Sequence, residues 1–452
     1  MIERYLNIAR EVIDLSLKQG AEQVSVSLAN ATSFQLEVRN QNIEALKEAG
    51  SSGIHVTLAK NQKRSTLSSN DFRLETLEPL IRSTLEALPL MGEDPFYTLP
   101  DPKLQGKAEI DLQFRDPNFE KMASNEKINE LMLLEKEALS IDSRLQTEEI
   151  SFSDSISYMV HGDSNGFLEG CSKTLCSQGV SMFAEDGGEE TEGSAQSLNT
   201  GRKQSDGWYS SSRFRKDLES REDLARKAGE RTLRKLGSVK PKSCEVPVVF
   251  STEMAQSFLG SLASAMMGDN VFRKHSFLKD SLGETVANPE IRLSDEPLLP
   301  GKLGSRHYDS EGVKATPLML IDQGKLLSFM CSTYSANKLD RQSTGHAGGI
   351  SNLMLKPGNY SDEELIASID NGLYLTGMSG QGVNLTTGDY SRGAQGLWIR
   401  KGKLAEPVSE FTIASTFPEM LKGIIMIGNE VDERSTILTP AFRIDSMNIS
   451  GS

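Results

Sequence analysis

The side chains best suited to acid–base or metal chemistry in this 452-residue chain are five histidines: His55, His161, His275, His307 and His346. No two of them stand three or four positions apart, the spacing that places two zinc ligands on one face of a helix. His55 falls in a predicted strand, where we expect a structural role. His161 and His307 fall in the predicted turns HGDSNG and GSRHYDSEG, where we expect solvated side chains. The histidine spacing therefore predicts no metal site.

His346 is the strongest single candidate for chemistry. It stands in STGHAGGISNLML, where three nearby glycines allow the backbone to approach a ligand closely. In one interpretation His346 is a general base or a substrate contact. In the other it is an ordinary turn histidine of a glycine-rich loop. The sequence leaves both interpretations open.

Nucleophile and nucleotide motifs are nearly met but fail. GMSGQG resembles the serine nucleophile elbow G-x-S-x-G, but Gln381 occupies the place of its last glycine. GQGVNL begins as a dinucleotide fingerprint, but Leu385 replaces its third glycine. The four cysteines form no C-x-x-C pair, so we expect reduced thiols. No catalytic constellation, and no cofactor, is predicted from the residues alone.

The stretch EMAQSFLGSLASAMMGDN, from Glu253 to Asn270, is predicted to be one helix with an unusual number of small residues. It contains no histidine or cysteine. Ser257, Ser261, Ser264 and Gly268 can share one face at helical spacing. Such a face allows a neighbour to approach closely, either inside the core or at a contact between subunits.

Composition limits the classes of partner. Forty-nine basic against 63 acidic residues give a net charge of -14, which disfavours nucleic acid and anionic membranes as general partners. The longest apolar run near the C-terminus, GIIMIG, is far shorter than the roughly 20 residues of a membrane span. Charged residues at the N-terminus do not resemble a secretion signal. We therefore expect a cytoplasmic protein.

Hydrophobic periodicity predicts an α+β protein in three parts. Residues 1–103 are predicted as an N-terminal α+β domain whose last stretch, Leu88 to Lys103, is a proline-rich linker. Residues 104–237 are predicted as a central α+β domain with the same order of helix and strands, which indicates an internal duplication. Glu185 to Glu190 (EDGGEE) is predicted as a hairpin tip. Asp217 to Leu236 is predicted as a basic amphipathic helix with an ordinary solvated face.

Residues 238–452 are predicted as a glycine-rich, β-dominated C-terminal domain. EVPVVF is typical of a buried strand. LMLIDQGKLLSFM and GLWIRKGKLAEPV are predicted hairpins in which Gly324 and Gly402 supply positive φ. SDEELIASIDNG is predicted as a capped helix with Ser361 at the N-cap, Glu364 as its capping-box partner and Gly372 at the C-terminal end.

The C-terminal half resembles the TldD/PmbA family, once labelled modulator of DNA gyrase. The resemblance rests on four stretches in order: FRKHSFLKDSLGE, DSEGVKATPLMLIDQGKL, STYSANKL with STGHAGG, and GVNLTTGDYSRGAQGLWIRKGKLAEPVSEFTIA. It covers about the last half of the chain. The N-terminal half fits the family's layout with weaker motifs.

The resemblance implies a relation to zinc peptidases. One branch of the family has a helical H-E-x-x-x-H motif and a cysteine ligand near the C-terminus. The other, PmbA or TldE, lacks these ligands and pairs with the first as a heterodimer. Matching MMGDN to the family places Leu259, Gly260 and Ser264 at the three motif positions. The last cysteine is Cys331, and IGNEVDERST stands near the place of the missing ligand.

The family's roles are the maturation of a microcin precursor and the degradation of an antitoxin, which implies unstructured peptide substrates. TTGDYSRG (Thr386 to Gly393) is a candidate border of a groove in which a peptide adds as an extra strand. Asp389 and Arg392 would orient that peptide, with His346 as a third groove candidate. Alternatively, this stretch is a tight turn with a local ion pair.

We therefore expect the non-catalytic subunit of a TldD/PmbA-type zinc peptidase complex, with no metal of its own. Its expected partners are a TldD-like zinc-binding paralogue, in a heterodimer or larger assembly, or a second copy of itself. Two alternatives remain: an active metallopeptidase with unrecognised ligands, in which His346 takes part, and a homodimeric peptide-binding protein without an enzyme partner.

Overall fold

The computed structural model describes residues 1–186 and 202–451, and the fold is α+β as predicted. In the described residues before Ser238 there are four α-helices and six strands. They are α1 (Ile2–Lys18), β1 (Gln23–Arg39), β2 (Asn42–Lys60), β3 (Lys63–Ser69), α2 (Leu74–Ala87), α3 (Ser124–Ser140), β4 (Gln146–Asp163), β5 (Leu168–Glu185), β6 (Lys203–Ser212) and α4 (Arg221–Leu233). The predicted hairpin tip, Glu185 to Glu190, falls mostly outside the described residues.

These six strands form one sheet in the order β3-β2-β1-β4-β5-β6. The central pair, β1 and β4, is antiparallel from Ser25–Asp163 to Val38–Ile150. The sheet therefore continues across the predicted boundary between residues 1–103 and 104–237. Helix, three strands and helix occur twice, and the two sets meet at β1 and β4. The same order of elements is thus repeated on the two sides of the β1–β4 pair.

Two cores lie side by side on one face of this sheet. Alternate residues of β1, such as Val24, Val26 and Leu28, are buried with α1 and α2 in one core. Further along the same sheet, α3 and α4 cover a second core that includes Leu36 and Phe152. The period of two follows from the strand geometry, which sends successive side chains to opposite faces. The residues between them, including Ser27, therefore point away from these helices.

The stretch after α2 ties the sheet to the rest of the chain. Within the predicted linker, Leu88–Leu90 forms a 3-10 helix. Just beyond the linker, the amide of Gly106 donates to the Gly312 carbonyl at 3.1 Å. The connection therefore lies against the C-terminal part of the chain.

The described residues from Ser238 onward contain eleven strands and five α-helices. They are β7 (Cys244–Phe250), α5 (Thr252–Met266), α6 (Gly268–Phe272), β8 (Leu293–Asp295), β9 (Leu318–Asp322), β10 (Lys325–Leu326), α7 (Thr333–Lys338), β11 (Leu353–Leu355), α8 (Asp362–Ala367), β12 (Asn371–Ser379), β13 (Asp389–Arg400), β14 (Lys403–Thr416), α9 (Phe417–Gly423), β15 (Ile424–Ile427), β16 (Ile437–Leu438) and β17 (Phe442–Ser450). The C-terminal part is thus rich in strands, as predicted.

Two sheets organise this part. One has the order β14-β13-β12-β7-β17-β15, and an additional pairing of β14 with β17 closes five of its strands into a ring. The smaller sheet has the order β10-β9-β8-β11-β16. Helix α5 shares the largest core with residues of both sheets, among them Phe250, Leu293 and Phe442. This core fixes the orientation of α5.

The predicted turns and cap are confirmed in detail. The β9–β10 hairpin turns at Gln323 and Gly324, both with positive φ, and the β13–β14 hairpin turns in the same way at Lys401 and Gly402. Ser361 accepts from the Glu364 amide at 3.2 Å, and the Glu364 carboxylate accepts from the Ser361 amide at 2.9 Å. However, α8 ends at Ala367 rather than near Gly372, which lies in β12.

The prediction of one helix from Glu253 to Asn270 is wrong at its C-terminal end. Met267 has an extended conformation, with φ -68° and ψ 129°, and separates α5 from α6. At this point the Gly268 amide donates to the Met330 carbonyl at 2.7 Å. A contact from a distant segment thus replaces helical hydrogen bonds that the local sequence would have allowed.

The four cysteines, Cys171, Cys176, Cys244 and Cys331, are all free thiols, as expected. Burial raises the pKa of Cys176 to about 12 and that of Cys331 to about 11. Among the described residues, no helix combines the length and apolar character needed to cross a membrane.

Candidate functional site

Helix α5 has one buried side and one half-exposed side. The buried side is apolar and consists of Ala255, Phe258, Leu259, Leu262, Ala263, Ala265 and Met266. The half-exposed side carries small residues: Ser257, Gly260, Ser261 and Ser264. The Ser261 and Ser264 hydroxyls donate to carbonyls one turn earlier in the helix, at 3.2 and 3.0 Å. These serine hydroxyls therefore have partners within the helix. The small side chains on this side of α5 extend only a short distance from the helix.

The three motif positions of α5 offer no zinc ligand. Leu259 is 2% exposed and packs in the core. Gly260 lies close to Ile437, whose Cδ1 would be 3.3 Å from an added Cβ. Ser264 bonds to the Gly260 carbonyl. A catalytic zinc site needs three protein ligands and an open position, so the residues present do not fit this metal. Across residues 1–186 and 202–451, no group of three or more histidine, cysteine or acidic side chains could hold a metal ion.

The segment IGNEVDERST, which stands near the place of the missing cysteine ligand, connects the C-terminal part to the six-stranded sheet. Its Arg434 pairs with Asp432 at 2.6 Å and donates to the Tyr209 carbonyl at 3.0 Å. The Arg434 guanidinium lies over Trp208, with its Cζ 3.5 Å from the ring centroid. Here the segment holds two parts of the molecule together.

A charged cleft of about 800 Å³ opens at the N-terminal end of α5. We use this name for the space between β6 and α4 on one side and residues 430–434 on the other. Trp208 forms part of its wall and donates from Nε1 to the Glu219 carboxylate at 3.0 Å. Arg231 bridges Asp206 and Glu253 at 3.2 and 3.0 Å. The basic face of α4 is thus neutralised mainly by acids of this chain.

Electrostatics in the charged cleft are mixed. Burial alone would raise the pKa of the Asp206 carboxyl, but Arg231 and Lys235 outweigh this effect and hold the pKa below its usual value. In contrast, burial together with Glu430 and Glu363 raises the pKa of Asp362 to about 6. Paired charges around an aromatic wall can contact the backbone and side chains of a peptide.

His346 is buried and bonded at both ring nitrogens. Its Nε2 lies 3.1 Å from Asp295 Oδ2, and its Nδ1 lies 2.8 Å from the Thr344 carbonyl oxygen. The Ser351 hydroxyl bonds to Asp295 rather than to the imidazole. With 1% exposure and no free nitrogen, His346 does not line an open groove. The acid lies between serine and histidine, so this is not the order of a nucleophilic triad.

Asp389 and Arg392 do not form the expected local ion pair, nor do they lie beside a free strand edge. Asp389 is exposed and accepts from the Thr387 hydroxyl at 2.5 Å. Arg392 reaches α5 and donates to the Ser257 hydroxyl at 2.9 Å. At this end of β13, strand β14 pairs on one side, and residues 382–384 bond to Asp389 and Ser391 on the other. Because both sides are occupied, an extra peptide strand cannot pair with β13 here.

The expectation for His161 was wrong. It lies in β4 rather than in a turn, is 7% exposed, and contacts the Ser27 hydroxyl at 3.0 Å through Nδ1. Burial lowers the pKa of His161 to about 4. His307 does lie in a bend but is half-buried, and burial lowers its pKa as well. His55 lies in β2, as predicted, and bonds to Ser68 at 2.8 Å.

Sequence reasoning missed the residues that form the charged cleft. Trp208 and Arg434 are 226 positions apart, and no spacing rule connects them. One available signal was composition: Trp208 is one of only two tryptophans in the chain. The acid-rich segment GNEVDER was also visible, but its partner surface was not.

The central and C-terminal parts of the chain both match models of known protein domains. The model of the PmbA/TldA metallopeptidase C-terminal domain matches residues 243–451, and that of the central domain matches residues 117–236. The chain is 30% identical to Metalloprotease PmbA of Escherichia coli O157:H7 over its full length and 98% of that protein. It is 31% identical to a PmbA homologue of Buchnera aphidicola, with 99% of this chain and 97% of that protein covered.

The chain belongs to the TldD/PmbA family. A solved structure from Bacteroides thetaiotaomicron, given as a candidate modulator of DNA gyrase, matches with a TM-score of 0.91 at 28% identity. That match covers 99% of this chain and 98% of the other. TldE from Thermococcus kodakarensis shares the fold, with a TM-score of 0.85 at 20% identity over 98% of this chain and all of that one.

Proposed function

We propose that this chain is the non-catalytic subunit of a cytoplasmic TldD/PmbA-type zinc peptidase complex that acts on unstructured peptides. The observation that carries the proposal is the chemistry of α5. Its motif positions hold a buried leucine, a glycine and an internally bonded serine, and none can serve as a catalytic zinc ligand. The catalytic zinc would therefore belong to a TldD-like partner.

Two features support a role in a complex. The half-exposed side of α5 carries only small side chains, and around Ser261 and Ser264 little protrudes that would keep a second subunit at a distance. The charged cleft, with Trp208 at its wall, has polar and aromatic groups for contacting an extended peptide. Peptide maturation and antitoxin degradation are the activities that such a complex would perform.

The test compares the purified chain with a mixture of this chain and an H-E-x-x-x-H paralogue. Zinc is measured after dialysis in metal-free buffer, and light scattering gives the assembly mass. Cleavage of an unstructured peptide is followed with and without a chelator. We expect no stoichiometric zinc in this chain, a complex in the mixture, and chelator-sensitive cleavage that exceeds the paralogue's own activity.

About one zinc per chain together with chelator-sensitive cleavage by this chain alone would contradict the proposal. Those results would instead establish the second candidate, an active metallopeptidase with other ligands. The relatives named metalloproteases favour that candidate. A chain that forms homodimers but neither binds the paralogue nor raises its cleavage rate would be a homodimeric peptide-binding protein, which also contradicts the proposal.

A further inference from the structure

A second cavity lies between the six-stranded sheet and the C-terminal part of the chain, and the proposed peptidase role does not use it. It has a volume of about 360 Å³. Its floor is the sheet face opposite α1 and α2, and its roof is formed by residues 306–310 and 347–348. We call it the sheet pocket. The two family stretches DSEGVKATPLMLIDQGKL and STGHAGG each contribute residues to its roof.

Much of the wall of the sheet pocket is apolar. Ala29, Phe114 and Met159 contribute apolar side chains. Leu28 and Val160 line the floor with their backbone, since their side chains lie in the core on the other face of the sheet. The rim includes exposed residues, namely Ala29, His55, Ser310 and Gly348, so the pocket has an opening. A cavity of this size is at the lower end of the range for small-molecule sites, about 300–1,000 Å³.

The cations in and behind this wall lack a direct ion pair among the described residues. Lys173 and Arg306 line the pocket, and Arg213 lies behind Phe114, with its Cζ 5.4 Å from the ring centroid. In the described parts of the chain, none of these three cations has a carboxylate within ion-pair distance. Buried charges are normally paired, because removing a charge from water is costly. An anionic ligand would supply the missing partner.

The nearby acids are already occupied. Asp309 accepts from the amides of Glu311, Val313 and Ala347 at 2.9 to 3.0 Å. Asp295 is occupied by His346 and by Ser351. Both carboxylates oppose the effect of burial on the Arg306 pKa from a distance, but neither forms a direct ion pair with Lys173 or Arg306.

Polar groups in the pocket wall can form further hydrogen bonds. Lys173 Nζ donates to the Ser305 carbonyl at 3.0 Å and lies 4.7 Å from the Phe114 ring centroid. Arg306 uses its Nη2 for two carbonyls of the glycine-rich loop, while its buried Nε has no partner among the described residues. His307 Nδ1 is likewise buried without a partner in this part of the structure, and it donates in the tautomer that carries its proton there. Unpaired buried donors are costly unless a ligand or water completes them.

We propose that the sheet pocket binds a small organic carboxylate with an apolar body. The carboxylate accepts from Lys173 and Arg306, and the apolar body lies against Phe114 and Met159. The carboxylate comes either from a free small acid or from the C-terminus of a peptide. This proposal is independent of whether the chain is a peptidase subunit, because it uses no residue of α5 or of the charged cleft.

The test is calorimetric titration of the full chain with 3-phenylpropanoate at pH 7. The neutral 3-phenylpropanamide removes the charge, and inorganic phosphate removes the apolar body. We expect the carboxylate to bind about tenfold or more tightly than either comparison compound, since hydrogen bonds to charged groups are among the stronger ones. Equal binding of all three compounds, or no binding of the carboxylate at 10 mM, which is roughly the weakest affinity typical of so small a ligand, overturns the proposal.

Variants locate the site. Lys173→Met should weaken binding about tenfold or more, and Ala29→Trp should block the opening without removing a polar contact. Lys356→Met, at an exposed lysine outside the pocket, is the matched control and should bind like the wild type. Thermal unfolding checks that each variant is folded. If folded Lys173→Met and Ala29→Trp both retain wild-type affinity, the sheet pocket is not the binding site.

The source of the carboxylate is resolved by two further ligands. A tripeptide ending in phenylalanine is compared with the same tripeptide amidated at its C-terminus. Preference for the free C-terminus indicates peptide ends as the source. Binding of 3-phenylpropanoate without binding of either tripeptide indicates a free small acid.

Discussion

His161 and His346 are both buried, but their ring nitrogens have different partners. His346 lies between the Thr344 carbonyl and the Asp295 carboxylate. His161 contacts a neutral hydroxyl, Ser27, and packs near the ring of Phe167. Burial without a nearby acid disfavours the imidazolium form, which is why the pKa of His161 falls to about 4.

This depressed pKa predicts a pH-dependent stability. Well above pH 6.5 the histidine is neutral in both the folded and the unfolded chain, so its contribution is complete. As the pH falls from 6.5 toward 4, only the unfolded chain gains the proton, and the folded state loses stability. Between pH 7 and pH 5 we expect His161 to contribute a loss of about 2 kcal/mol in the free energy of unfolding.

Urea unfolding of the wild type and His161→Gln at both pH values measures this contribution. Glutamine retains hydrogen-bonding capacity toward Ser27 but does not titrate. Acidic residues lower the stability of both proteins equally, so the difference between them isolates the histidine. Parallel pH profiles would show that His161 does not carry the effect.

At the scale of the element, α5 combines a tightly packed side with an open one. Leu259 contributes to the core that joins both C-terminal sheets. Gly260, one position later, lies beside Ile437 on the half-exposed side. Two of the three motif positions, Leu259 and Gly260, are thus used for packing within this chain.

Restoring the motif on α5 should not restore catalysis. We expect the triple substitution Leu259→His, Gly260→Glu and Ser264→His to leave the isolated chain inactive toward peptides. Two histidines supply only two of the three ligands that catalytic zinc requires. A glutamate at Gly260 must displace Ile437, and overpacking costs roughly 1–3 kcal/mol.

The measurement is peptide cleavage with added zinc, together with thermal unfolding. The matched control is Ser257→Ala and Ser261→Ala on the same helix, which changes side chains without enlarging them. Chelator-sensitive cleavage by the folded triple variant alone would require a third ligand that the described residues do not show.

At the scale of the whole molecule, contacts between the six-stranded sheet and the C-terminal part define both cavities. Arg434 closes one side of the charged cleft through Trp208, Tyr209 and Asp432. At the sheet pocket, Lys173 donates to the Ser305 carbonyl, and Arg213 donates to the Lys302 carbonyl. Cationic side chains therefore join the two parts at both sites.

We expect Arg434→Met to lower the free energy of unfolding by about 3–5 kcal/mol, since it leaves the buried Asp432 carboxylate without its main partner. Arg434 and Asp432 side chains are only 10% and 6% exposed. Arg400→Met is a matched control, because Arg400 also lies over a tryptophan, Trp398, but pairs with Glu406 in an exposed setting. We expect the control to lose less than about 1 kcal/mol.

Urea unfolding followed by tryptophan fluorescence compares the two variants. Limited proteolysis shows whether the C-terminal part separates from the sheet. Equal losses in both variants would mean that the Arg434 contacts add nothing beyond an exposed pair.

Local sequence determined much of the fold. Gly324 and Gly402 specified their hairpins because a polar residue followed by glycine readily adopts the two positive φ values of these turns. Ser361 and Glu364 specified the start of α8 through a capping box that involves only neighbouring residues. The absence of zinc ligands at Leu259, Gly260 and Ser264 was also evident once the family resemblance was recognised.

Tertiary structure alone decided the remainder. The break at Met267 depends on Met330, 63 positions later, and the burial of His161 and His346 depends on distant segments. The pairing of β1 with β4 joins two stretches more than 100 residues apart into one sheet. Both cavities form where that sheet meets the C-terminal part. Periodicity and spacing report only on neighbours along the chain, whereas burial, charge pairing and cavities arise from contacts between residues that are close only after folding.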